Sequence, residues 1–317
     1  MALFQLPLFA ELEKSQTILL AGAGGGFDLF TGLPLYFALR EAGKQVFLAN
    51  LSFSSIYASN GRRSAPALVE VTAHTRGSET YFPELHLARW LQKRGEEGVI
   101  YCLDRTGVQP LLRAYSYLME KLQPDTIILV DGGTDSLMRG DEAGLGTPEE
   151  DIASIAVVDQ LEVERKFLVC LGFGIDAFHG VCHAQVLEAV AEITRAGGFL
   201  GAWTITPEMP EAKLYREAID EVHRAMPRQP SIVNSSILSA IEGHFGDYHA
   251  TSRTNGSELF INPLMTLYWA FQLEHVARRI LYLDKMLPTE SNLEVQQVTY
   301  AFRASLQETR EWKNLPI

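Results

Sequence analysis

"TILLAGAGGGFDLFTGLPLYFALREAGKQVFLAN", residues 17–50, decides the fold. A short, continuous apolar run meets a glycine-rich turn, passes into a helix-like stretch that stops at Gly43, and is followed by a second apolar run. Short runs rich in Ile, Leu and Val read as parallel strands buried on both faces, and a helix between two of them makes a right-handed crossover unit. The pattern repeats along the chain. "GVIYCLD" precedes "VQPLLRAYSYLMEKLQP", "TIILVDGG" precedes "TPEEDIASIAVVDQLEVE", and "KFLVCLGFG" precedes "HGVCHAQVLEAVAEITRAGG". "FLGAWTITPE" then precedes "AKLYREAIDEVHRAMP". The prediction is a doubly wound, mainly parallel Rossmann-like α/β sheet of about six strands.

Two regions depart from the repeat. Residues 52–80 form an insertion in which "ALVEVTAHT" alternates apolar and polar positions, as expected for an extra strand at a sheet edge. After residue 230 the pattern becomes helical. "SIVNSSILSAIEGHF" reads as a capped helix, and "NGSELFINPLMTLYWAFQLEHVARRILYLDKML" as a short strand or turn followed by a long helix. That helix would carry an apolar stripe through Leu267, Tyr268, Phe271, His275 and Ile280. The expected organisation is a Rossmann-like core over 1–230 and a mainly helical extension over 231–317 packed on it. The stripe would face the sheet or a second subunit, so a homo-oligomer formed through the C-terminal helices is one expectation.

Composition narrows the partners. The 317 residues are 47% hydrophobic and carry a net charge of -12, which suits a soluble globular protein and argues against nucleic acid. No apolar run approaches the ~20 residues of a membrane span. "MALFQLPLFAELEKSQ" lacks the basic start of a signal peptide, and Cys102, Cys170 and Cys182 have no paired spacing, so a cytoplasmic location is expected. Cys182 beside His183 falls inside the expected helix, where it reads as apolar filler.

In such a sheet, ligands bind beyond the carboxyl ends of the strands. The residues expected there are Gly24, Gly25, Gly26 and Asp28 after the first strand, Asn50 after the second, and Asp104 and Arg105 after the third. Asp131, Gly132, Gly133, Thr134 and Asp135 follow the fourth, Gly174, Asp176 and His179 the fifth, and Thr204 the sixth. Acids converging in a cleft repel one another unless a cation or ligand offsets them. Asp131 and Asp135 are therefore candidate metal ligands or catalytic groups, and a hard Mg-like divalent cation suits them. The competing view is that several of these acids cap helices; Glu149, Glu150 and Asp151 behind Thr147–Pro148 read simply as a helix start.

The first turn lacks the third glycine of the dinucleotide fingerprint, since Phe27 stands there, and Asn50 replaces the ribose-binding acid. Its glycines alone would suit an anion. Asp28 in their midst suits a cation or a hydroxyl. His179 and His183, four apart, would share one helix face; His179 lies nearer the strand end and is the candidate acid/base.

"DGGTDSLMRGDE", "GLGTPEEDIASI", "AGAGGGFD" and "GFGIDAFHG" together resemble the domain-of-unknown-function 1152 family. The resemblance implies a Rossmann-like fold and singles out Asp131, Asp135, Asp141 and Glu142 without assigning a reaction. A weaker likeness links "GAG" at 22–24, "GLP" at 32–34, "LDRTG" at 103–107 and "HG" at 179–180 to sirtuin-type NAD-binding proteins. It would imply NAD as cofactor, His179 as general base and Asp104 on the nicotinamide side, but the Asn of the T-Q-N-x-D motif and the zinc cysteines are absent. The expected function is an enzyme, a hydrolase or transferase, acting on a nucleotide-like or phosphorylated small molecule in an acidic cleft. A non-catalytic ligand-binding or regulatory module is the alternative.

Overall fold

The computed structural model describes residues 5–96 and 98–316. Among these, nine strands form one sheet: β1 (Thr17–Gly22), β2 (Gln45–Ser52), β3 (Arg62–Ala65), β4 (Leu68–Val71), β5 (Ile100–Asp104), β6 (Thr126–Asp131), β7 (Arg165–Leu171), β8 (Phe199–Thr204) and β9 (Leu267–Gln272). Their spatial order is β3-β4-β5-β2-β1-β6-β7-β9-β8. The six strands expected from sequence are all present. β5, β2, β1, β6 and β7 pair in parallel, forming the run of the doubly wound fold.

The other three strands correct the expectation of six. The insertion supplies two, because β4 pairs antiparallel with β5 and β3 lies outside β4 at the edge. β9 replaces the first part of the expected long helix. It enters the sheet between β7 and β8, antiparallel to both. The segment "LYWAFQ" is apolar enough on both faces to be buried as a central strand, so tertiary pairing overrides a helical reading of its spacing. The helix that follows is short, Leu273–Ala277. The region after 230 therefore builds part of the sheet; its helical portions are chiefly Ile232–Ile241 and Asn292–Ser305.

Alternation along the strands divides the core into two layers. Ile18, Leu20, Ile128, Val130, Val169 and Leu171 face one side with the helices Leu33–Glu41, Pro83–Lys93 and Pro210–Ala225. Leu19, Ala21, Ile127, Leu129, Leu168 and Cys170 face the other, against Val108–Leu122, Pro148–Gln160 and His183–Arg195. Burial on both faces explains why the parallel strands read as unbroken apolar runs.

Of the N-terminal stretch, residues 1–4 lie outside the described residues and Pro7–Lys14 is a helix. Among the described residues no helix is long and apolar enough to cross a membrane. Cys102, Cys170 and Cys182 are all free and buried.

Candidate functional site

β1 and β6 are neighbours, and the chain leaves them in opposite directions, β1 towards β2 and β6 towards β7. That switch point opens a crevice at the strand ends. A cavity of about 880 Å³ occupies it, walled by the Gly24–Asp28 turn, Asp131, Gly132 and Asp135, the start of Pro148–Gln160, and the Ile175–His179 turn.

The glycine turn is built around Asp28. Asp28 Oδ2 accepts from the amides of Gly24 at 2.7 Å and Gly25 at 3.1 Å. The neighbouring amides are also committed, Ala23 to Val130 O at 2.8 Å and Gly26 to Leu51 O at 3.0 Å. An internal carboxylate thus occupies the place a ligand phosphate would take. Asn50, buried behind the turn, donates to Gly26 O at 2.9 Å and to the buried Glu84 at 2.8 Å, so it braces the backbone.

Glycines let the carboxylates converge. A Cβ on Gly24 would stand 2.7 Å from Asp28 Oδ2 and 2.8 Å from Asp151 Oδ2. One on Gly132 would stand 2.9 Å from Asp28 Oδ1, and one on Gly133 2.5 Å from Asp176 Oδ2. Here the glycines are needed for the space a side chain would fill. One oxygen from each of Asp28, Asp131 and Asp151 lies within 4.8 Å of the others.

Further acids surround this trio. Asp131 accepts from the Ser136 amide at 3.3 Å and from its hydroxyl. Asp135 accepts from the Thr147 amide at 2.8 Å, and Asp176 from the Thr134 amide at 2.7 Å. Asp151 is only 2% exposed, and its Oδ1 has no hydrogen-bond partner. Burial raises the pKa of every one of these groups. Asp28 is pushed up to about 7, with Asp135 adding to the rise and the Gly24 and Gly25 amides opposing it. Burial, then the mutual repulsion of the cluster, pushes Asp131 and Asp151 well above the usual carboxylate range. Asp176 follows for the same reasons, and Asp135 is raised by burial.

The rim carries other charges. Arg105 reaches Glu150 at 3.4 Å and lies over the Phe53 ring at 5.4 Å. His179 lines the cavity on its exposed turn, near enough to Asp135 for its charge to oppose that group's rise.

Several expected residues lie elsewhere. Thr204, exposed at the end of β8, pairs with Thr266 at 2.7 Å, and Asp104 ends β5; neither lines the cavity. Gly133 and Thr134 hold Asp176 from behind, and Gly174 begins the Ile175–His179 turn at φ +92°. His183 does not share a helix face with His179: Gly180, at φ +88°, breaks the chain between them and Cys182 caps the helix that His183 begins. His183 instead packs against Phe173, ring centroids 5.3 Å apart, beside a separate cavity with Trp312. Cys182 is a cap residue whose thiol meets Lys313 O at 3.2 Å, which corrects its mid-helix placement.

Asp141 and Glu142 serve the C-terminal tail. Arg139 binds both Asp141 oxygens at 2.9 Å, while Arg310 reaches Asp141 at 2.9 Å and the fully buried Glu142 at 2.8 Å. Arg310→Ala should leave Glu142 with only its amide donors. It is expected to lower stability by about 1–3 kcal/mol in urea unfolding. An unchanged midpoint would show that the tail contact carries no weight.

Asp151 and Glu150 are the acids that the helix-start reading passed over. Pro148 is the first helical residue, so Asp151 is the fourth, beyond the free amides a capping acid would serve. That offset was the available signal.

Fold and crevice together define a doubly wound α/β protein whose switch point is lined by buried carboxylates. The chain belongs to the family described as protein of unknown function (DUF1152), whose model matches residues 58–302. The match takes in Asp131–Glu142 and the His179 turn and begins after the first glycine turn. No curated protein and no solved structure matches the chain.

Proposed function

We propose that the crevice binds a hard divalent cation through Asp28, Asp131 and Asp151, and that the protein is a hydrolase or transferase acting on a small phosphorylated or nucleotide-like molecule. The observation that carries this reading is the convergence of three carboxylates, one with an unpartnered buried oxygen, in a cavity large enough for a small organic ligand. Oxygen-only ligands suit Mg²⁺ or Mn²⁺, and the Gly24 and Gly25 amides would hold Asp28 in place as a ligand. A bound cation would polarise a phosphoryl oxygen. His179, on the rim beside Asp135, is the candidate acid/base. The NAD reading is less well supported, because the turn's amides serve Asp28 and Asp104 does not line the cavity.

Thermal unfolding with and without Mg²⁺, Mn²⁺ and NAD tests this. A cation at a hundred times its Kd should add about 2.7 kcal/mol of stability. No shift with any divalent ion between pH 6 and 9 would remove the cation reading, and stabilisation by NAD in EDTA would favour the alternative. Bound ligand without turnover across phosphate esters would favour a regulatory module.

A further inference from the structure

Facing the acidic floor is a wall of opposite polarity. The helix Ile232–Ile241 points its N-terminus into the same cavity, with Ser231, Ile232 and Val233 among the lining residues. That end is rigidly built. Ser231 Oγ accepts from the Asn234 amide at 3.1 Å, Tyr215 donates to Asn234 Oδ1 at 2.6 Å, and the Ser231 amide donates to His223 at 2.9 Å. The amides of Ile232 and Val233 make no hydrogen bond among the described residues. Arg253, tethered through Pro230 O at 2.8 Å, lines the cavity next to them.

Floor and wall are close. Val233 Cγ1 lies 3.3 Å from where a Cβ on Gly132 would stand, and that same point is 2.9 Å from Asp28 Oδ1. Arg105 is already paired with Glu150, which leaves Arg253 and the helix end as the positive elements of this wall. The helix end could serve only to soften the field of the acids. Against that account, Asp151 on the facing floor is 2% exposed with its Oδ1 unpartnered, which calls for a cation there, and a cation on the floor would draw an anion to this wall.

We propose that this wall is a phosphate subsite: an organic phosphate ester enters with a divalent cation, its phosphate bridging the cation on the acidic floor to the Ile232 and Val233 amides and Arg253. The inference rests on the cation reading above. A phosphate has enough oxygens to bind metal and amides together, and free helix amides with an adjacent guanidinium are its usual partners. The cavity, about 880 Å³, exceeds the needs of an inorganic ion. Ile175, Leu259 and the 70% exposed Phe178 offer an apolar surface for the ester's organic body.

The test uses the full chain, Mn²⁺, inorganic phosphate and phenyl phosphate, read by calorimetry. Ile232→Pro removes one amide at the first helical position, where proline is tolerated, and Ser231 already has the extended backbone it requires. Arg253→Met removes the guanidinium and serves if the first variant does not fold. The wild type should bind phosphate only with Mn²⁺ present, and phenyl phosphate more tightly. Each variant should weaken phosphate binding about tenfold while Mn²⁺ affinity stays within about twofold. Mn²⁺ binding without phosphate binding, or phosphate binding unchanged in the folded variants, overturns this proposal alone. Failure to bind Mn²⁺ overturns the cation reading and this proposal with it.

Discussion

Asp131→Asn is expected to stabilise the cation-free protein and abolish its response to divalent cations. Asp131 is 2% exposed and lies in the field of Asp135, Asp28 and Asp176. Its amide analogue can still accept from Ser136, while its nitrogen can donate to the neighbouring carboxylates. Removing one charge from such a cluster should add about 1–2 kcal/mol in unfolding measurements. A wild-type cation shift retained by the variant would sink the assignment.

The same repulsion gives an unusual pH dependence. Asp28 has its folded pKa raised from 3.8 to about 7, so the folded state holds the proton more tightly than the unfolded state. The resulting stability is fully present below 3.8 and is lost as pH rises through 7, on the order of 4 kcal/mol from this group. Asp141 works in the opposite sense. Against burial, Arg139 and Arg310 hold its pKa below 3.8, so its contribution is lost only as pH falls through that lower value. The cation-free protein should therefore melt higher at pH 5 than at pH 8, and saturating Mn²⁺ should reduce or reverse the difference. A melting temperature that rises steadily from pH 5 to 8 without cation would contradict the cluster's electrostatics.

Gly24→Ala is expected to have the second large effect, a loss of cation affinity of about 100-fold. Gly24 does not occupy the left-handed region, so its backbone accepts alanine. The new methyl group would instead displace the oxygens of Asp28 and Asp151, both within 3 Å of its position. Folding should survive, and separating the charges offsets part of the steric cost. Mn²⁺ affinity unchanged in a folded variant would show that Gly24 does not shape the cation site.

How much of this was legible depended on what each residue does. β1, β2 and β5–β7 are apolar runs between turn residues, a pattern that burial on both faces imposes, and β8 carries a similar run although it lies at the sheet edge. β3, whose side chains are exposed or half-buried, has no such signature. β9 had an ambiguous one, because five apolar residues before Gln272 satisfy a buried strand and a helix stripe alike. Asp28, Asp131, Asp135 and Asp176 were found because glycines beside acids at strand ends have no purely structural need. Asp151 was hidden among acids that a helix start explains. Asp141 and Glu142 drew notice by adjacency in sequence, although the chain turns them away to meet Arg310, which comes 168 residues after Glu142.

The antiparallel β9 also sets the order in which the sheet can be completed. β8 has no parallel neighbour of its own; it is held in the sheet by β9, whose residues come more than sixty positions later. During synthesis, β7 must wait as an open edge and β8 as an unpaired segment until residue 272 has emerged. Such long-range pairing slows folding and exposes sticky strand edges meanwhile. A nascent chain stalled between residues 205 and 266 would present that edge to its neighbours, which makes this interval the stage at which a chaperone would matter most.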